Sequence, residues 1–252
     1  MTNKFVTMLA VVWLCLGAAI CGAQVGGEKP PPETAAAATQ GYVPPARGAP
    51  MRRVGGSSRG VDDELPNVVV LVPDHIGLTT MEQPTLYWYL SKPTAIPIEI
   101  TLIHEARIQP LIEAPAGGAP AAGMYAIRLA DYGVRLVPGV EYEWSVTLVL
   151  NREERSHDVI SAGAIMRVDA TEDQKARMGN AERNNLGMAY AQEGMWYDAI
   201  AILSEAIAAD AANDTLRGQR SRVLGQAGLD EPAAHDARFV KQAPRAPGEK
   251  GK

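Results

Sequence analysis

The sequence predicts an α+β chain with its parts in series: an immunoglobulin- or fibronectin-like β-sandwich followed by a short α-helical hairpin. Three observations carry that reading. Across residues 66–168, apolar and polar residues alternate in short blocks, the period-two pattern of half-buried strands. At Asp169 the period lengthens to that of helices. Ahead of both lies an apolar N-terminal run and a stretch rich in proline, glycine and alanine.

The N-terminal run reads as an export signal. Residues 1–4 are short and positive, residues 5–20 are apolar with only Thr7 interrupting, and Cys21-Gly22-Ala23 supplies small residues before Gln24. Cleavage after Ala23 gives a signal peptide over residues 1–23. The run is at the short end for a membrane anchor, which needs about 20 apolar residues. A lipid on Cys21 ranks lower, because the branched Ile20 precedes it. The two cysteines, Cys15 and Cys21, both fall in this segment, so the cleaved chain has no disulfide and no thiol chemistry.

Residues 24–65 read as a disordered linker, with Pro30-Pro31-Pro32, Pro44-Pro45 and Gly55-Gly56-Ser57-Ser58 and no hydrophobic period. The formal net charge is -5 with no clustered lysine or arginine face, which argues against nucleic acid as a partner.

The β-module opens with an apolar run over residues 67–72, closed by Pro73. In residues 85–91, Leu86, Trp88 and Leu90 share one face and Tyr87 and Tyr89 the other. Ile98, Ile100 and Leu102 repeat the pattern. Residues 107–113 are broken by Pro110, as suits an edge. Residues 114–123 form a loop, and Tyr125, Ile127 and Leu129 a further face. The clearest strand covers residues 141–150: Tyr142, Trp144, Val146, Leu148 and Leu150 point one way, and Glu141, Glu143, Ser145 and Thr147 the other. Residues 159–168 close the set. Trp88 and Trp144, in phase with aliphatic neighbours, belong to the core. If the opposite face of their strand is open to solvent, Tyr87 and Tyr89 make an aromatic binding platform.

Four stretches carry a resemblance: Gln83-Pro84-Thr85-Leu86-Tyr87-Trp88-Tyr89-Leu90, Leu136-Val137-Pro138-Gly139-Val140-Glu141-Tyr142-Glu143-Trp144, Arg155-Ser156-His157-Asp158 and Gly163-Ala164-Ile165-Met166-Arg167-Val168. Together they resemble the bacterial exported family called domain of unknown function 928. That family pairs a Pro-Thr-aromatic strand with a Tyr-x-Trp strand, an Arg-Ser-x-Asp turn and a Gly-x-Ile-x-Arg-Val ending. The resemblance covers about residues 70–168 and extends loosely into the helices. It implies export and a β fold, and no activity.

Thr171 is placed to cap a helix that continues through Ala189, with Glu172 and Asp173 in its first turn. Leu186, Gly187, Tyr190, Gly194, Ala199, Leu203 and Ala206 fall at the spacings of a tetratricopeptide repeat, with Arg183 and Ala211 departing from it. A third helix fits residues 213–227. One such hairpin is too little for a free solenoid, so it is expected to pack on the β-module or on another chain. Residues 230–252 read as a flexible tail.

No cofactor is implied. The histidines, His75, His104, His157 and His235, show no metal-ligand spacing. Ser156, His157 and Asp158 lie on one turn, which cannot aim nucleophile, base and orienter at one another. The predicted function is therefore a non-enzymatic binding or scaffold module of the cell envelope with a protein partner. Its binding candidates are Tyr87, Tyr89, Tyr190 and Trp196, and it would meet the membrane only through the signal segment or a lipid on Cys21. The alternative is a hydrolase whose groups converge around His104, Glu105 and His157.

Overall fold

A computed structural model describes residues 41–45, 54–55, 65–104, 106–117 and 121–240. The signal peptide, most of the linker, Glu105 and residues 241–252 lie outside the described residues.

Two sheets form the β part. Strands β1 (Val68–Val70), β3 (Thr85–Leu90) and β6 (Gly123–Arg128) make a three-stranded sheet in the order β1-β3-β6. The five-stranded sheet takes β2 (Gly77–Thr79), β4 (Ile98–His104), β5 (Ile112–Pro115), β7 (Glu141–Leu148) and β8 (Val159–Arg167) in the order β2-β8-β7-β4-β5. All pairs are antiparallel except β2 with β8.

The alternation read from the sequence sets the register. In β7 the side chains of Tyr142, Trp144, Val146 and Leu148 are buried, and each sits opposite a β4 residue that keeps the pleat in phase, as in Leu102 with Trp144 and Ile98 with Leu148. Trp88 and Trp144 are both buried in one core shared by the two sheets.

Five helices follow: α1 (Glu172–Gly179), α2 (Leu186–Gln192), α3 (Trp196–Ala209), α4 (Asp214–Gln226) and α5 (Asp230–Ala237). Strands and helices thus occupy separate regions of the chain, an α+β architecture. Thr171 caps α1 in a capping box with Gln174, as its position suggests. The expected single helix through Ala189 is instead two. It stops at Gly179, and a short 3-10 turn at Arg183–Asn185 precedes α2. Gly187 then allows α2 and α3 to approach closely, since a Cβ there would lie 2.5 Å from Leu203 Cγ.

Two boundaries move outward. The expected flexible tail begins with α5, held by a buried ion pair: Arg220 donates to both Asp236 oxygens at 2.7 Å, and Asp236 is fully buried. Within the expected linker, residues 41–45 and Val54 are docked. Val54 exchanges backbone hydrogen bonds with Ala162 of β8 at 2.9 and 3.1 Å, and Tyr42 is buried. Tyr42 supplies apolar area that the surrounding Pro/Gly/Ala composition does not advertise.

Candidate binding site

The helical region is keyed into the sheets through the first turn of α3. Trp196 and Tyr197 are fully buried there. Trp196 Nε1 donates to the Leu71 carbonyl at 2.8 Å. The Tyr197 hydroxyl accepts from Trp144 Nε1 at 2.9 Å and donates to the Ala164 carbonyl at 3.0 Å. Burial pushes that hydroxyl far above its ordinary pKa. Gly77 on β2 makes the room: a Cβ there would meet the Tyr197 ring at 2.5 Å.

Asp198 completes the joint. Its carboxylate accepts from the Thr79 hydroxyl at 2.5 Å, the Thr80 amide at 2.8 Å and the Thr80 hydroxyl at 2.7 Å. Burial raises its pKa, and these three bonds pull it back only in part.

The same packing decides the fate of the predicted binding residues. The outer face of β3 is not open to solvent. Tyr89 is 2% exposed, with its ring 5.3 Å from His235 of α5. Tyr87 is half-buried beside Ser204 and Glu205 of α3, and desolvation raises its pKa first. The condition for an aromatic platform therefore fails, because helices cover that face. Trp196 is wholly inside. Tyr190, half-buried, lines a hollow. That hollow is an open depression of about 380 Å³ which also takes in Thr80, Asp169, Lys175 and Met178. The structure does not bring the four residues together as one site.

A second hollow belongs to the helices alone. A groove of about 350 Å³ runs between α1, α2 and α4, lined by Arg177, Glu182, Asn185, Met188, Gln192, Gln219 and Arg222 among others. Its Gln219 is 8% exposed. The Gln219 amide donates to the Asn184 carbonyl and to Asn185 Oδ1, each at 3.2 Å, while its Oε1 is buried with no hydrogen-bond partner. An unmet buried acceptor is costly, and it favours a bound donor. Nothing in the sequence pattern marked Gln219, since a polar residue in a helix reads as surface.

Of the groups named for hydrolysis, Glu105 lies outside the described residues, and His104 and His157 do not converge. His104 pairs with Tyr142 at one end of the β4/β7 ladder. His157 precedes Val159, which pairs with Leu148 at the other end, so roughly 20 Å of strand separates them. The Arg155-Ser156-His157-Asp158 turn is a structural clamp. Arg155 donates to Asp158 and, at 2.7 Å, to Glu99 of β4, and Asp158 accepts from the Leu150 amide at 3.0 Å. Ser156 and His157 are exposed beside it. Among the described residues, no three His, Cys, Asp or Glu side chains gather as metal ligands.

No curated protein matches the chain. The family model described as Domain of Unknown Function (DUF928) matches residues 54–237, a span running from the docked Val54 through both sheets to the end of α5, and the chain belongs to that family.

Proposed function

We propose that this protein is a non-enzymatic binding module of the cell envelope, exported by its N-terminal signal, whose helical groove holds an extended segment of a partner protein. The observation that carries the reading is the buried, unpartnered Gln219 Oε1 in the wall of the groove. Turning of the Gln219 side chain toward the groove would let this oxygen take a backbone N–H of the bound segment. Arg177 and Glu182 place both charge signs along the groove, which suits a mixed polar peptide. The β part acts as the rigid mount.

Two finer structural readings belong with this proposal. The helices are tetratricopeptide-like, with α2–α3 as one repeat unit and α4–α5 as a second. In support, α2 and α4 together line the groove while α3 packs on the sheets. The sheets are immunoglobulin-like. Supporting this, β8, β7 and β4 take the G-F-C order of one immunoglobulin sheet, and β1, β3 and β6 the A-B-E strands of the other. Tyr142 sits at the start of the F-equivalent strand, two residues before Trp144, and its hydroxyl accepts from the Val137 amide at 3.1 Å. That is the geometry of a tyrosine corner.

The test is site-directed photo-cross-linking to envelope proteins. A photoreactive residue replacing exposed Gln192 at the groove is expected to capture a discrete protein, and one replacing exposed Ile160 on β8 is not. Equal capture from both positions, or none from either, removes the reading.

A further inference from the structure

We propose that residues 41–45 form a strap across the joint between helices and sheets, and that acid releases it with His75 as the sensor. The strap touches α2, α3, α4 and the loop between β1 and β2. The Tyr42 amide donates to Gln226 Oε1 at the end of α4 at 2.7 Å, and the Val43 amide donates to the Ala191 carbonyl of α2 at 3.0 Å. The Tyr42 ring stands edge-on to Trp196 of α3 at 4.8 Å. Its hydroxyl lies 3.0 Å from His75 Nε2, in the loop between β1 and β2.

His75 is the weak point of this arrangement. It is 8% exposed, and its Nδ1 is buried with no hydrogen-bond partner. The Asp74 carboxylate on the same loop is 3.9 Å from Nδ1 and largely exposed. Among the described residues, the other titratable group in contact with His75 is the hydroxyl of Tyr42 on the strap, driven by burial far above its ordinary pKa and so neutral. A neutral imidazole therefore fits the docked state, and an imidazolium would be a desolvated charge with only Asp74 to offset it. Burial lowers the His75 pKa against the opposing pull of Asp74. Lifting Tyr42 away exposes His75 to water, so strap release is the route by which the proton is accommodated.

The sign follows from linkage. Docked His75 titrates below the ordinary 6.5, so at pH values under 6.5 the released state binds more protons than the docked one. Docking is complete in strength above pH 6.5 and weakens as pH falls below it. Because the strap joins α2 to α4, its release also loosens the two helices that carry the groove. That consequence rests on the binding reading above; strap release itself does not.

Amide hydrogen exchange on the chain from residue 24 to 252 tests the release. Val43 protection, corrected for intrinsic exchange, is expected to fall between pH 7.5 and 5.0 by up to about 30-fold, the linkage ceiling for a group of pKa 6.5. The Val146 amide in β7 is expected to hold its protection. His75→Gln, which keeps a polar partner for Tyr42 and cannot titrate, is expected to abolish the fall. In the unaltered protein, the His75 ring-nitrogen titration is expected to share its midpoint with the change at Val43, a readout that does not depend on the variant folding. Constant Val43 protection, an equal fall in His75→Gln, a parallel loss at Val146 or discordant midpoints would each overturn the proposal. Cross-linking from position 192, repeated at pH 5.0, reads the effect on the groove separately.

Discussion

At the scale of single residues, three consecutive side chains carry the joint between the two regions, and each does so by satisfying a buried polar group. Tyr197→Phe removes one hydroxyl and leaves Trp144 Nε1 without its acceptor and the Ala164 carbonyl without its donor. The variant is expected to lose about 2 kcal/mol of stability, measured by urea unfolding. Asp198→Ala strips three donors on Thr79 and Thr80 of their acceptor while also removing a carboxylate whose burial is unfavourable. The net expectation is a loss of roughly 2–4 kcal/mol, read from the same curves. Sequence reading identified Trp88 and Trp144 as core because their aliphatic neighbours share their phase. It missed Tyr197 and Asp198, since a tyrosine and an aspartate in the first turn of a helix are ordinary exposed residues until their partners are known. Those partners lie on β2, β7 and β8, far away in the chain. The signal that was present is Trp196-Tyr197-Asp198 itself, a run of large and charged residues at a helix start beside the tight turn at Gly194.

At the scale of elements, local periodicity was most reliable where one face is buried and the other is not. Strand β7 shows that alternation and was legible almost residue by residue. Strand β3 shows it as well, but both its faces are covered, so alternation alone suggested an open tyrosine face that helices in fact occupy. The break between α1 and α2 was missed although Gly179-Asn180 marks it, because helical residues resume soon after and the stop signal reads as a tolerated interior glycine. Helix α5 was missed because its helix is short and Pro232 and the polar residues around it read as a chain end. What holds α5 is a buried pair in three dimensions, Arg220 with Asp236. Asp236→Ala strands the guanidinium, and a loss of about 3–5 kcal/mol is expected, with circular dichroism at 222 nm reporting the helical loss. Close helix packing was legible at Gly187. Gly187→Ala places a methyl 2.5 Å from Leu203 Cγ, and the expected cost is about 1–3 kcal/mol in a thermal melt.

At the scale of the whole molecule, the strands, the five helices and the docked segment at Tyr42 fall within one compact unit. Contacts across the joint include apolar burial, six buried or half-buried hydrogen bonds made by the side chains of Trp196, Tyr197 and Asp198, and the strap. Cutting the chain after Ala170 would open the Leu71 carbonyl, the Trp144 indole and the outer face of β3 to water at once. The truncated protein is expected to lose cooperative unfolding and to bind a hydrophobic dye; a sharp melt in that fragment would show the sheets to be independent. The central claim is that sheets and helices form one cooperative structure, and native-state hydrogen exchange in rising urea tests it most directly. The Val146 amide of β7 and the Val223 amide of α4 are the reporters. Their exchange free energies are expected to converge on one line with the slope of global unfolding. If Val223 instead exchanges through a separate opening of smaller slope, the helices unfold on their own and the account of a single unit is wrong.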